Sequence, residues 1–329
     1  MCGTRPTGRQ MRAVRISKNG SWQAEPATVP EPGPGQVLIR IRASGVCFND
    51  LHAREGRPGH EAAGEVVDLG PGVSSRRIGD RVGVPLWQTA CGRCEWCQRG
   101  KPLHCPQKGG TSINLPGSHA EFMLAAADAT MLLPEGLSFE EAAPLFCAGY
   151  AAYSGLCSAK PKPGDRVAVA GIGGLGHLAV QYAKAAGLFV IAVTGSADKI
   201  SLIRGLGADE IVRNGKELQA IGGADIILGT SGSIDAQADA FEGIRPEGRM
   251  MVMGLGTAPL PLPVNALIMK RASIIGSQHN DRRHLHDALA LAARGRVKPM
   301  IETYSLAEAE KARERLASRR TRFRAVIVM

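Results

Sequence analysis

Between residues 161 and 297, apolar and polar positions alternate in blocks. Residues 166–170, RVAVA, form a short apolar run that reads as a buried strand. After a glycine-rich turn, HLAVQYAKAAG spaces its apolar residues for a helix and stops at Gly187. A second apolar run covers Phe189–Val193. The pattern then repeats at Ala224–Leu228, Arg249–Met253 and Ser273–Gly276, with helical stretches between. Strand and helix in regular alternation predict a doubly wound parallel sheet, of the Rossmann kind, over 161–297. No apolar run approaches the length needed to span a bilayer, so no membrane partner is expected.

The turn after the first strand is Gly171-Ile172-Gly173-Gly174-Leu175-Gly176. Strand, Gly-x-Gly-x-x-Gly, helix, strand is the arrangement that binds a dinucleotide. Gly171 permits the tight turn, Gly173 lets the backbone approach a pyrophosphate, and Gly176 lets helix pack closely on strand. The helix N-terminus attracts the phosphates. An acid at the end of the second strand would hold the adenosine ribose of NAD, but none is there. Residues 193–199 read VTGSADK. Thr194 and Ser196 can donate hydrogen bonds to a phosphate, and Lys199 can add positive charge, so NADP(H) is expected in preference to NAD(H). Asp198 is expected to cap the helix that follows.

Cys91, Cys94, Cys97 and Cys105 lie within fifteen residues, in the pattern C-x2-C-x2-C-x7-C. Four soft thiolates at such spacing suit one tetrahedral ion, usually zinc, in a closed site that stabilises a lobe and does no chemistry. Gly92, Gly100 and Pro102 help a short lobe wrap around it. The first ten residues, MCGTRPTGRQ, are polar and contain Cys2. They read as a loose tail, or as upstream translation before a start at Met11, and not as a secretory signal. Reduced thiols in a cytoplasmic chain are therefore expected. Cys157 reads as a small buried residue.

The chain has 329 residues, enough for two domains, and a formal net charge of +10. Its basic residues are dispersed, and aromatic residues make up only 4%. A nucleic-acid partner is therefore not expected, while an anionic cofactor is favoured.

Three further segments carry metal-ligating residues: Cys47 within GVCFNDLH, His60-Glu61 within GHE, and Cys147 within FCAG. Two thiolates and one imidazole with an open fourth position would build a catalytic zinc site. With these segments the chain, from Met11 onward, resembles the zinc-dependent medium-chain alcohol dehydrogenases. GVC-x-x-DLH, GHE-x-x-GEVV, GDRVGVP, the four-cysteine lobe, LSFEEAAPL-x-CAG, GIGGLGH and the closing RAVIV carry the likeness.

The resemblance implies a GroES-like, β-rich catalytic domain over 1–160 and 298–329, with the Rossmann domain over 161–297 between them. It implies Cys47, His60 and Cys147 as catalytic zinc ligands and Glu61 as a glutamate that can approach the metal. Asp50 would orient the ligating histidine, and His52 would end a proton relay. Arg324 would contact the cofactor pyrophosphate. Two zinc ions per chain, one catalytic and one structural, would serve hydride transfer between an alcohol or aldehyde and a nicotinamide cofactor. Relatives are dimers or tetramers, and Ser273–Ser277 offers a sheet edge for such pairing.

Two departures stand out. The family usually has Ser or Thr two positions after its first ligand cysteine; here the residue is Asn49, whose amide cannot readily pass a proton. Only twelve residues separate Cys47 from His60, fewer than is usual, yet an extended chain of that length can still bring both to one ion. Phe48, Leu86 and Trp87 are expected to line an apolar substrate pocket. The alternatives are a polyol dehydrogenase and a non-catalytic NADP(H)-binding zinc protein with an impaired site.

Overall fold

A computed structural model describes residues 8–329; Cys2 and the rest of 1–7 lie outside the described residues. Gln10, the last residue of the expected tail, already belongs to a strand. Gln10–Ile16 pairs antiparallel with Trp22–Thr28, Gln10 opposite Thr28. The chain divides into two compact units. One runs through Cys147 and resumes at Met300–Met329; the other is Ala148–Pro299. Among the described residues no helix is long and apolar enough to cross a membrane.

The first unit is built on a seven-stranded sheet. Its order is Ile301–Ser305, Arg324–Val328, Gln36–Val46, Glu61–Leu69, Arg81–Val84, Met131–Leu132, with Phe122–Ala126 also paired to Gln36–Val46. The strand Gln36–Val46 carries seven apolar residues among eleven, broken by Gln36, Arg40, Arg42 and Ser44. Val37, Ile39 and Ile41 pack with Val66, Val82 and Met123. Toward its end, Val46 joins Val14, Trp22, Tyr304 and Ile327 in a second cluster. Register then aligns the chemistry: Gly45 lies opposite Glu61, and Val46 opposite Ala325. Cys47, His60, Glu61 and Arg324 are thereby gathered at one end of three neighbouring strands.

The segment after Cys47 begins with a single 3-10 turn, Phe48–His52. Its remainder is held by backbone bonds: Ile16 donates to the Gly56 carbonyl at 3.1 Å, and Gly117, Ser118 and His119 donate to Arg57, Gly59 and Pro58 at 2.9–3.0 Å. Cys147 follows two short helical turns, Phe139–Ala142 and Ala143–Phe146, the first capped by the Ser138 hydroxyl. The cysteine lobe contains the helix Glu95–Gln98, the 3-10 turn Pro102–His104 and a small ladder of Trp87–Thr89 on Gly109–Gly110.

The second unit holds a six-stranded, wholly parallel sheet. The order is Glu210–Val212, Phe189–Val193, Arg166–Ala170, Ala224–Gly229, Ile244–Val252, Ser273–Gly276. The chain starts in the middle and winds first one way, then the other. The reversal lies between Arg166–Ala170 and Ala224–Gly229, where folds of this kind form a ligand crevice.

Several local readings need correction. The strand expected at Arg249–Met253 begins at Ile244. Helix Ala148–Ser158 groups with the second unit, earlier than a boundary at 160/161, because it packs on helices Gly176–Ala185 and Arg282–Ala293. Asp198 does not cap the next helix; it lies inside a 3-10 turn, and Lys199 holds the N-cap of Ile200–Gly205. Cys157 is half-buried rather than buried, beside Tyr153.

Candidate active site

Cys47, His60, Glu61 and Cys147 are all buried, and one ligand atom from each lies within 4.8 Å of the others. The sulfurs of Cys47 and Cys147 are 3.9 Å apart. The twelve-residue segment does not separate the donors. His60 Nε2 is buried without a hydrogen-bond partner. Two thiols, an imidazole nitrogen without a hydrogen-bond partner and a carboxylate in reserve fit a tetrahedral ion of zinc type.

Asp50 fixes that geometry. One carboxylate oxygen accepts the Cys47 N–H at 2.8 Å; the other accepts the Gly59 N–H at 3.1 Å and lies 2.9 Å from His60 Nδ1. Burial alone would raise its pKa, but His60 and the Cys47 amide hold it down at about 2. An ionised Asp50 favours a proton on His60 Nδ1, which leaves Nε2 available to a metal. Burial opposes a charged His60, yet Asp50 and Cys47 carry its pKa upward. The Cys147 thiol donates to Cys47 and so pulls the latter's pKa down. Cys147 itself is pushed up, first by that bond and then by burial.

Arg324 is 4% exposed, and one of its terminal nitrogens meets both Glu61 oxygens at 2.5 and 2.6 Å. The residue expected on the cofactor pyrophosphate is thus engaged on Glu61. Gly45 makes the contact possible, since a Cβ there would overlap Glu61 Oε2. Burial lifts Glu61 to about 7, against the pull of Arg324.

Asn49 is half-buried, and His52 is exposed with its ring edge-on to Phe48 at 5.7 Å. Leu86 is buried. Trp87 belongs to the lobe, where Gly110 lies against its ring and Lys108 Nζ sits 4.0 Å from the ring centre. The reading missed a buried set beside Asp50: Ser44, Ser118 and His119. Their one trace in the sequence is Ser44, a hydroxyl in an otherwise apolar stretch of strand. Burial lowers the His119 pKa to about 4.

The second donor set is Cys91, Cys94, Cys97 and Cys105, whose sulfurs also lie within 4.8 Å of one another. Backbone N–H groups of Arg93 and Cys94 lower Cys91 to about 6. Four thiols and no open position fit a closed structural zinc site.

In the second unit the glycine turn leaves the strand Arg166–Ala170. Gly171 has φ +97°, and a Cβ there would press on Ser231. At Gly176 a Cβ would strike the Gly171 carbonyl oxygen, whereas nothing stands within 4 Å of one at Gly173. Thr230 Oγ1 donates to the Gly171 carbonyl at 2.6 Å, and Lys199 Nζ donates to the Ile172 carbonyl at 3.1 Å. Lys199 therefore stands at the turn. Thr194 and Ser196 follow the second strand, with Thr194 Oγ1 accepting the Ser196 N–H at 3.2 Å.

Known proteins agree with this architecture. Residues 33–135 match the alcohol dehydrogenase GroES-like domain, and residues 174–294 the zinc-binding dehydrogenase domain. An alcohol dehydrogenase of Geobacillus stearothermophilus is 40% identical over 86% of this chain and 89% of its own. One from Moraxella sp. is 36% identical over 96% and 99%. Among solved structures, the cobalt- and zinc-bound thermostable alcohol dehydrogenase of Pyrobaculum aerophilum superposes with a TM-score of 0.88 at 29% identity, covering 98% of this chain and 100% of that one. Matched along both units, with both cysteine sets gathered as metal sites, the chain belongs to the zinc-dependent medium-chain alcohol dehydrogenase family.

Proposed function

We propose that this protein is an alcohol dehydrogenase or aldehyde reductase that holds two zinc ions and uses NADP(H). The observation that carries the reading is the buried convergence of Cys47, His60, Glu61 and Cys147. Zinc, when bound there, supplies Lewis-acid polarisation of an alcohol or carbonyl oxygen. Cys47, His60 and Cys147 hold it, and Asp50 keeps His60 in the ligating tautomer. Glu61 waits on Arg324, close enough to take part in ligand exchange. Oxidation removes a hydride and a proton from the alcohol carbon and oxygen. A bound nicotinamide would accept the hydride, and the alcohol proton would leave toward solvent on the side of exposed His52. The Asn49 amide can hydrogen-bond a substrate oxygen but does not relay the proton.

The turn Gly171–Gly176 cradles the pyrophosphate. Thr194, Ser196 and Lys199 favour the extra phosphate of NADP, since no carboxylate stands at the end of Phe189–Val193 to repel it. The Cys91–Cys105 lobe holds the structural zinc. Assembly into a dimer or tetramer proceeds through the sheet edge Ser273–Gly276. Ile274 is 39% exposed there, and Met269, on the helix just before, is 83% exposed.

The test measures zinc per chain on metal-replete protein, together with kcat/KM for primary and secondary alcohols and aldehydes with each nicotinamide cofactor. Two zinc ions and a higher kcat/KM with NADP(H) are expected. One zinc ion and no turnover would replace the reading with a cofactor-binding scaffold; a preference for NAD(H) would remove the role given to Lys199.

A further inference from the structure

Asp50 lies between two buried imidazoles. On one side His60 Nδ1 is 2.9 Å from Oδ1; on the other, His119 Nε2 is 3.9 Å from Oδ2. His119 is fixed by its surroundings. Ser44 Oγ lies 2.8 Å from its Nδ1, Ser118 Oγ lies 2.7 Å from Ser44 Oγ, and the Trp22 ring is tilted against it at 5.1 Å. Its Nε2 is buried without a hydrogen-bond partner and faces the Asp50 carboxylate.

A neutral imidazole carries one N–H. Placed on Nδ1, that proton would leave the bare Nε2 lone pair facing a carboxylate, which is repulsive. Placed on Nε2, it faces the carboxylate favourably, and Nδ1 then accepts from Ser44. The hydroxyls therefore run in one direction, with Ser118 donating to Ser44 and Ser44 to His119. At 3.9 Å the contact with Asp50 is one of charge and dipole, not a hydrogen bond.

We propose that His119 is a positioning residue for the buried metal centre, acting through Asp50. With it, Asp50 meets donors on every side: the Cys47 and Gly59 amides, His60 Nδ1–H and His119 Nε2–H. A carboxylate so surrounded acts only as an acceptor. His60 must then keep its proton on Nδ1 and present Nε2 to the metal. The inference rests on the reading of Cys47, His60 and Cys147 as metal donors. A histidine that only filled space would have no influence on His60.

The test is zinc retention by the full chain across a series of chelator concentrations, with Cys147→Ser marking which ion belongs to the lobe. Asp50→Asn is expected to weaken the buried site about 10- to 100-fold. His119→Phe, which keeps a ring against Trp22 but has no N–H, is expected to weaken it by less, about 3- to 10-fold, and to leave the lobe ion alone. His119→Gln should lie nearer the parent, and Ser44→Ala should move the same way as His119→Phe. These two variants carry the test if His119→Phe does not fold. In the Asp50→Asn background His119→Phe should add nothing. Cobalt in the buried site should show an altered ligand-field spectrum in His119→Phe. Unchanged affinity and spectrum, or full additivity with Asp50→Asn, would overturn the proposal. If the parent itself takes up only the lobe ion, the metal reading falls first, and that result is separately visible.

Discussion

Replacing Arg324 by Met isolates the buried pair at the site. Glu61 and Arg324 have side-chain exposures of 0% and 5%, with contacts of 2.5 and 2.6 Å. At an effective dielectric near 20, charges about 4 Å apart attract by about 4 kcal/mol. Breaking such a pair from one side typically costs about 3–5 kcal/mol, because a charge is left buried. Here Glu61 has an escape. It titrates at about 7 even beside Arg324, against an ordinary 4.5, so without the arginine it stays protonated to higher pH. Its folded value is raised, so the stability it contributes is full below about 4.5 and is lost as pH climbs through the folded value. In the parent that loss ends near 7. In the variant it continues, at up to about 1.4 kcal/mol per pH unit.

The expected deficit of Arg324→Met is therefore small at pH 6 and about 3 kcal/mol at pH 9. Tryptophan fluorescence during urea unfolding, at fixed zinc, reads this directly, because all three tryptophans (Trp22, Trp87 and Trp96) lie in the first unit. The double variant Glu61→Met with Arg324→Met removes both charges and should lose the pH slope and most of the deficit. A deficit that stays flat from pH 6 to 9, or a double variant as unstable as the single, would refute the reasoning.

Glu302 ties the end of the first unit together: it accepts from Arg315 at 2.5 Å, from the Arg322 N–H at 2.9 Å and from the Tyr304 hydroxyl at 2.9 Å. Burial opposes its charge, but these donors depress its pKa, so its contribution is present above the ordinary carboxylate range and fades as pH falls. Glu302→Gln should cost about 1 kcal/mol at pH 7 in the same unfolding assay, with the gap closing in acid; a gap that widens in acid would reverse the sign. Gly176→Ala places a Cβ on the Gly171 carbonyl oxygen and should raise the NADPH dissociation constant at least about 10-fold by titration calorimetry, leaving the tryptophan transition where it was. Ile274→Lys puts a charge on the open sheet edge and should lower the mass measured by light scattering, whereas an unchanged assembly would exclude that edge as the interface.

What could be read from the sequence followed from how locally each feature is encoded. Arg166–Ala170, Phe189–Val193 and Ser273–Gly276 are legible to the residue because each is a bounded run rich in β-branched or apolar residues. Glu210–Val212 escapes notice because three residues carry no period, and the start of Ile244–Val252 is hidden by Pro246, Glu247 and Gly248. The metal donors are legible because cysteine and histidine at such spacing have few other uses. Ser44 and His119 are not, because they stand 75 positions apart and only the fold brings them together. The Glu61–Arg324 pair spans 263 residues and owes its existence to the register of three strands.

The short connection between Cys47 and His60 keeps Cys47, His60, Glu61 and Cys147 together. The segment does not stretch across a gap; Asp50, within it, gathers both of its ends. One oxygen of Asp50 takes the Cys47 amide, and the other takes Gly59 and His60, so the carboxylate that orients the histidine also closes the loop. Gly59 adopts φ +98°, and a Cβ there would overlap the His119 ring, so the approach to His60 is possible only with glycine at this position. The segment, short as it is, leaves the four donors together. Asp50 and Gly59 inside the segment, with His119 packed against them, set the orientation of His60.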